Sequence, residues 1–508
     1  MDTSLIVVGL VNVITLTNIS LILGGTLLGL FVGAMPGLSA TMALALLLPL
    51  TYNMDPASGL SMLAALYVGA SYGGSISAIL LRTPGTPSAA ATVLDGYPLS
   101  QQGQAGRALG ISLFASFVGG LMSGLALLTA APLLGVVVLE FGPVEMFAIA
   151  VLGITIIGSL AQGSMISGLL SGALGLLVST VGMDFLTGTP RMTFGQINLF
   201  SGIEFVVALI GLFSIPQALR LIEKSNGVAK IASKITDRLI PSFRELKQLM
   251  PNILRSGCIG IIVGVIPGTG GDTASWFAYN EAKRFAKDKS RFGKGDIAGV
   301  AAPESANNAV VGGALIPTIA LGIPGSSSTA ILLGALMVQG ILPGPNLLTD
   351  YGDVTYTLIW AVIFANVGLL LVGLMFTKAC VSVTKVPDAF VACTIITLCI
   401  IGSFAINNSI FDVGLMLGFG LFGYWLSKAG VSPAPMVIGL ILGPVMENSF
   451  HQSMLIGNHS FAVFLDSPIA IVLLCIATLS VFQATPLFGW IKTLRRQRSA
   501  KTEHQKQL

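Results

Sequence analysis

One phrase occurs twice in this chain, and each time it ends in a helix breaker. Residues 29–37 read GLFVGAMPG and residues 260–268 read GIIVGVIPG. Gly29, Val32, Gly33, Pro36 and Gly37 recur in register as Gly260, Val263, Gly264, Pro267 and Gly268. A second matched block follows each copy. Gly73-Gly74 leads to PGTPSAA at 84–90, and Gly312-Gly313 leads to PGSSSTA at 324–330. Proline removes a backbone donor and clashes with the preceding turn, so Pro-Gly inside an apolar run interrupts a helix. The chain thus carries two such interruptions in each of two halves, each followed by small hydroxyl residues.

Composition places these breaks in lipid. Of 508 residues, 54% are hydrophobic and 9% charged, against roughly 25% charged in a soluble domain. Apolar runs such as 109–139 and 354–377 are long and unbroken, which favours helices over the short alternating strands of a barrel. The expected class is an all-α integral membrane protein. Most of the 61 glycines are read as close-packing positions between helices. The five cysteines, at 258, 380, 393, 399 and 475, form no CxxC pair and are read as buried thiols. The apolar run 5–16 has no basic residue before it and is read as a retained first helix. No cofactor motif appears, and no nucleic-acid partner is expected.

Basic residues set the topology, because they mark the cytoplasmic side. They concentrate at 219–255, at 282–296 and in the tail from Lys492. Segment 256–281 lies between two of these clusters and must enter and leave on one side. Its apolar run 256–266 is shorter than the roughly 20 residues needed to span, so a re-entrant hairpin is expected with its tip at Pro267-Gly268. Arg107 places the first half in mirror image: hairpin 20–50, tipped by Pro36-Gly37, and broken span 57–97 enter from the opposite face. The expected architecture is an inverted repeat of about 12 crossings plus two hairpins, with both termini cytoplasmic. Its parts are a half-repeat at 1–218, with connecting helices over 107–218, an amphipathic surface segment at 219–255, a half-repeat at 256–490 with broken span 297–340, and a basic tail at 491–508.

A Pro-Gly break frees carbonyls before it and N–H groups after it, and the restarting helix presents its positive end. Carboxylates bind at such ends, and freed carbonyls can hold Na+. The expected substrate-binding set is Ser39, Thr41, Thr86, Ser88, Thr269, Ser326, Ser327 and Ser328, with Asn307, Asn308 and Arg82. Gly37, Gly268, Asp272 and Thr273 are expected at a coupling-ion site, with Na+ or H+ as the ion. The breaks themselves are Pro36, Pro84, Gly85, Pro267, Pro324 and Gly325. Each hydroxyl could instead be a helix cap, Arg82 a snorkelling surface residue, and the two asparagines glue between helices. Glu304 and Asp272 are conspicuous as intramembrane acids.

Several stretches resemble the large membrane subunit of the tripartite tricarboxylate transporters. They are GAMPGLSATMALALLLPLTY at 33–52, YGGSISAILLRTPGTPSAAATVLDGYP at 72–98, GVIPGTGGDTASWFAYNEAKR at 264–284 and PESANNAVVGGALIPTIALGIPGSSSTAILLGAL at 303–336. The family pattern would place a neutral polar residue such as Asn near position 82, where this chain has Arg. The resemblance implies a secondary transporter in the bacterial inner membrane, importing citrate or related carboxylates with Na+ or H+. It implies two partners, a small four-helix membrane subunit and a periplasmic solute-binding protein, and an elevator-type motion. An ion channel, or a permease with no binding-protein partner, is the alternative. The sequence shows neither a selectivity filter nor a ring of like charges, and no catalytic constellation suggests an enzyme.

Overall fold

A computed structural model describes residues 3–138, 141–160, 165–184, 187–224, 235, 237–383 and 386–483. The basic tail 491–508 and the middle of the 219–255 segment lie outside them. Helices follow in the order α1 (Thr3–Val13), α2 (Leu16–Ala34), α3 (Ala40–Leu47), α4 (Pro56–Leu81), α5 (Val93–Gln101) and α6 (Ala105–Val138). Then come α7 (Pro143–Leu160), α8 (Met165–Ser179), α9 (Phe205–Lys224), α10 (Phe243–Val265), α11 (Gly270–Phe285), α12 (Ile297–Leu321) and α13 (Ser327–Val338). The last are α14 (Gly352–Val383), α15 (Asp388–Asn407), α16 (Ile410–Lys428), α17 (Ala434–Ile456), α18 (Val463–Asp466) and α19 (Pro468–Gln483).

Two compact units share these helices. One comprises Met1–Glu140 with Glu204–Trp425, the other Phe141–Ile203 with Leu426–Leu508. In the smaller unit α17 packs on α7 and α8, and α19 on α7. Phe147, Phe450 and Phe464 meet there, and Arg191 pairs with Glu447 and with Asp184.

In the larger unit the two halves pack crosswise. Helix α2 lies along α4 and α10 along α12, as equivalent positions in the repeated phrase require. Each broken helix then leans on the other half's long helix: α4 on α14, and α12 on α6. Small residues make the approach possible. A Cβ on Gly29 would stand 2.2 Å from the Leu66 carbonyl oxygen, and one on Gly260 would stand 2.3 Å from that of Ala306. Helix α4 is buried along nearly its whole length. The conserved spacing of glycines within the two phrases is therefore a backbone-contact requirement.

Eight helices, α2, α4, α6, α9, α10, α14, α15 and α16, are long and apolar enough to cross a membrane. Six shorter apolar helices accompany them. Helix α12 is not among these, because Glu304, Ser305, Asn307, Asn308 and Thr318 interrupt its apolar character; all five are buried inside the protein. One expected boundary changes. The first arm of the second hairpin is not the short run 256–266 but the whole of α10, 23 residues beginning at Phe243. Ser242 and Glu245 form a reciprocal capping box that starts the helix there. By length this arm could span, so shortness no longer argues for re-entry. The surface segment expected at 219–255 is divided accordingly: residues 219–224 end α9, and 243–255 begin α10. The expectation of buried thiols holds for Cys380 and Cys399, whereas Cys258, Cys393 and Cys475 are exposed on the protein surface, where an apolar thiol can face lipid.

Charge placement agrees at one end of the larger unit. Arg107 of α6 pairs with Glu245 of α10 at 2.5 Å. Asp237 accepts from the N–H groups of Gly106 and Arg107 at the start of α6. The start of α6 and the start of α10 therefore share an end, as the basic clusters required.

Asp95 ties the halves together at this level. Its Oδ1 accepts three backbone N–H bonds, from Gly293, Gly295 and Asp296, at 2.8–2.9 Å. Its Oδ2 accepts from the Tyr279 hydroxyl at 2.9 Å. The side chain is completely buried, so removing it strands three amide donors at about 1–3 kcal/mol each. We expect Asp95→Ala to lower the thermal unfolding midpoint of the detergent-solubilised protein by well over about 5 °C, with Asp95→Asn less severe because one acceptor remains. An Ala variant that melts with the wild type would refute this anchoring role.

Candidate functional site

The four breaks have defined local geometry, and it repeats. At the hairpin tips, Met35 N–H donates to Val32 C=O and Ile266 N–H donates to Val263 C=O, each at 3.1 Å. The following glycines take the left-handed conformation, Gly37 at φ +90° and Gly268 at φ +81°, which only glycine adopts without steric cost. In the broken helices, α4 ends on Arg82 at φ +57° and α12 ends on Gly322 at φ +69°. Each stands two residues before the proline.

The restarts differ for a reason visible in the residues. Ser326 caps α13, and Thr329 returns the bond to the Ser326 N–H at 2.9 Å. In the first copy Pro87 occupies the first turn and Ala89 stands where Thr329 would be. No reciprocal cap forms, and the chain makes only a short 3₁₀ turn, Pro87–Ala89, before α5.

All four turns meet in the larger unit. Thr41, on the restart after the first tip, hydrogen-bonds Ser328 at 3.0 Å, on the restart after the second broken helix. Ser326 hydrogen-bonds the Tyr67 hydroxyl of α4 at 3.3 Å. At the second tip, the Gly268 N–H donates to the Gly325 carbonyl at 2.9 Å. A Cβ on Gly271 would stand 2.4 Å from Asn307 Oδ1 and 3.0 Å from Ser88 Cβ. Ser88 in turn hydrogen-bonds Thr86 at 3.1 Å. The second broken helix is therefore touched by both hairpin tips, and the first broken helix by the second tip. Hydroxyls and restarting helix ends from the two halves thus stand in pairwise contact.

The individual residues divide by what already occupies them. Ser39 caps α3 by accepting from the Met42 N–H at 3.1 Å, and Thr269 donates to the Ile266 carbonyl at 2.9 Å and also to that of Val263. These two serve the breaks themselves. Thr41, Thr86, Ser88, Ser326 and Ser328 pair with other side-chain hydroxyls. Such pairs can rotate to donate to a ligand, because a hydroxyl both gives and accepts. Ser327 and Thr273 are half-buried on the first turns of α13 and α11. Asp272 is half-buried beside Thr273, and its carboxylate acts electrostatically on Tyr67. Gln217 of α9 donates to the Gly37 carbonyl at the first tip, so that carbonyl already has a donor.

The asparagines bind the helices together. Asn307 Nδ2 donates to the Ser71 carbonyl at 2.8 Å, and Asn308 Nδ2 to that of Val68 at 3.4 Å. Both acceptors lie on α4. Only Asn307 Oδ1 faces a restart, that of Gly271, among the described residues.

Arg82 is exposed, with its guanidinium 5.8 Å from the centre of the Tyr97 ring; among the described residues no hydrogen bond joins it to the restart hydroxyls. Tyr67 was missed in the sequence because a buried tyrosine inside a long apolar helix carries no local signal of its partner, 259 residues away.

A model of the tripartite tricarboxylate transporter TctA family matches residues 19–438. The chain is 37% identical over 468 residues to an uncharacterized 52.8 kDa protein in the TAR-I ttuC' 3' region of Agrobacterium vitis, covering 92% of this chain and 93% of that one. It is 36% identical over 225 residues to an uncharacterized protein in the TAR-II ttuC' 3' region of the same organism, covering 44% of this chain and 93% of that one. No solved structure matches.

A left-handed backbone costs a residue with a Cβ about 1–2 kcal/mol, and Asn tolerates it best after Gly. Arg82→Gly should therefore raise the unfolding midpoint slightly, and Arg82→Asn should transport like the wild type. Loss of transport in Arg82→Asn would restore the arginine to the binding site.

Proposed function

We infer the function from one premise: the chain belongs to the tripartite tricarboxylate transporter TctA family. It is accordingly a membrane subunit of a tricarboxylate transporter. We propose that it is the large permease subunit of a secondary system that imports citrate or related carboxylates by symport with Na+ or H+. It works with a small four-helix membrane subunit and receives its cargo from a periplasmic solute-binding protein. It resides in the bacterial inner membrane with both termini in the cytoplasm.

The observation that carries this reading is the meeting of Thr41 with Ser328 and of Gly271 with Ser88 and Asn307. Two restarts from each half supply donors at one place, so a multivalent carboxylate can be held from opposite sides. The cargo is bound by the hydroxyls of Thr41, Thr86, Ser88, Ser326, Ser327 and Ser328 and by the N–H groups following Pro84 and Pro324. Asp272 and Thr273, with the turns at Gly37 and Gly268, hold the coupling ion. The crosswise packing of α4 on α14 and α12 on α6 supports an inverted repeat in which the hairpins and broken helices move as one body. An elevator-type displacement of that body would carry the site across the membrane.

The test is gradient-driven uptake of radiolabelled citrate and a panel of di- and tricarboxylates into proteoliposomes holding all three proteins. Uptake should require an imposed Na+ or proton gradient and the binding protein. Ser328→Ala should weaken apparent affinity about 10- to 150-fold for the loss of one hydrogen bond to a charged cargo. Asp272→Asn should abolish dependence on a Na+ gradient. Uptake indifferent to both gradients, or full Na+ coupling in Asp272→Asn, would overturn the corresponding assignment.

A further inference from the structure

Glu304 sits one helical turn before Asn307 and is completely buried. Its partners are hydroxyls. Thr92 donates to Oε1 and Ser116 donates to Oε2 at 3.4 Å. One turn before Ser116 on α6, Ser112 donates instead to Ser75 of α4 at 2.8 Å. Among the described residues Glu304 makes no ion pair. An ionised carboxylate buried without a cation costs far more than a neutral one, and such groups take up a proton instead. Burial favours the protonated carboxyl, while the hydroxyls that donate to its oxygens keep the ionised form within reach, so the group can cycle between the two.

We propose that Glu304 carries the proton coupled to carboxylate movement, an inference that rests on the transporter reading. Thr92 follows the restart that bears Ser88, and Asn307 follows Glu304 on α12. The carboxyl thus joins both broken helices directly behind the candidate site. An anionic cargo there repels a negative Glu304, so cargo and proton each favour the other's binding. On release, the O–H bond of Glu304 breaks and the proton is taken by water that enters as the cargo leaves. The carboxylate left behind keeps the hydroxyl donors of Thr92 and Ser116. Rebinding reverses each step.

The surroundings bear on the pH response. From α4 the facing titratable group is Tyr72, which lies in electrostatic range of Glu304. Helix α5 brings Asp95, already engaged by Tyr279 of α11 and the 293–296 turn. Helix α11 also brings Asp272. Helix α6 offers Ser112 and Ser116, and on α10 the guanidinium of Arg255 stacks 4.4 Å from the Phe285 ring centre.

Glu304→Gln keeps the shape and mimics the protonated form. In the reconstituted three-protein system it should retain cargo counterflow but lose pH-gradient-driven accumulation by at least about tenfold. Wild-type accumulation in this variant, with wild-type pH dependence, would overturn the proposal. Infrared spectroscopy of the purified chain at neutral pH supplies a second readout. A protonated-carboxyl C=O band that shifts in Glu304→Asp supports the proposal, and an ionised Glu304 overturns it even if the Gln variant fails to fold. Absence of both uptake and counterflow in the wild type would instead refute the transporter reading, while the infrared result still decides the state of Glu304.

Discussion

Every backbone N–H and C=O in an apolar interior must find a partner, and a helix break violates that rule at a known position. This chain breaks four helices and brings the ends from its two halves into pairwise contact. The freed groups are partly satisfied by each other: Gly268 N–H finds Gly325 C=O, and Gly85 N–H finds Gly74 C=O. What remains is a set of hydroxyls that pair with one another across the halves or beside the breaks. The close contacts of Gly29 with Leu66 and Gly260 with Ala306 exist to bring those ends within reach. The site and the packing are thus one design problem, solved twice in one sequence.

The duplication extends below the level of matched letters. Met35 and Ile266 make the same bond to the third residue before them, and Gly37 and Gly268 share a left-handed backbone. The departures are equally local. Ala89 replaces the capping threonine, and a short 3₁₀ turn replaces the helix. Arg82 stands where the second copy has Gly322, and its side chain is exposed beside Tyr97. A repeat that drifts in this way leaves two unequal halves.

The breaks, their spacing and the hydroxyls after them were legible in the sequence because each is encoded within about ten contiguous residues. The shared end of α6 and α10 was legible because charge carries topological information over any distance. The Asp95 nest and the Glu304 cage were not. Their partners lie 184–212 residues away in the chain, and nothing in PESANN or VLDGYP specifies which hydroxyl or amide will arrive. The start of α10 was missed because basic residues at 244–255 resemble a surface helix, while the Ser242–Glu245 box that begins the helix is a quieter signal.

The central claim is that restarts from both halves hold one carboxylate cargo. Cysteine protection tests it most directly. In a chain whose five native cysteines are replaced by serine, single cysteines are placed at Ser88, at Ser327 and, as a control, at Arg82. The account predicts that citrate, or whichever carboxylate the complex imports, slows thiol modification at Ser88→Cys and Ser327→Cys alike and leaves Arg82→Cys unchanged. Protection in one half only, or in neither, would contradict it.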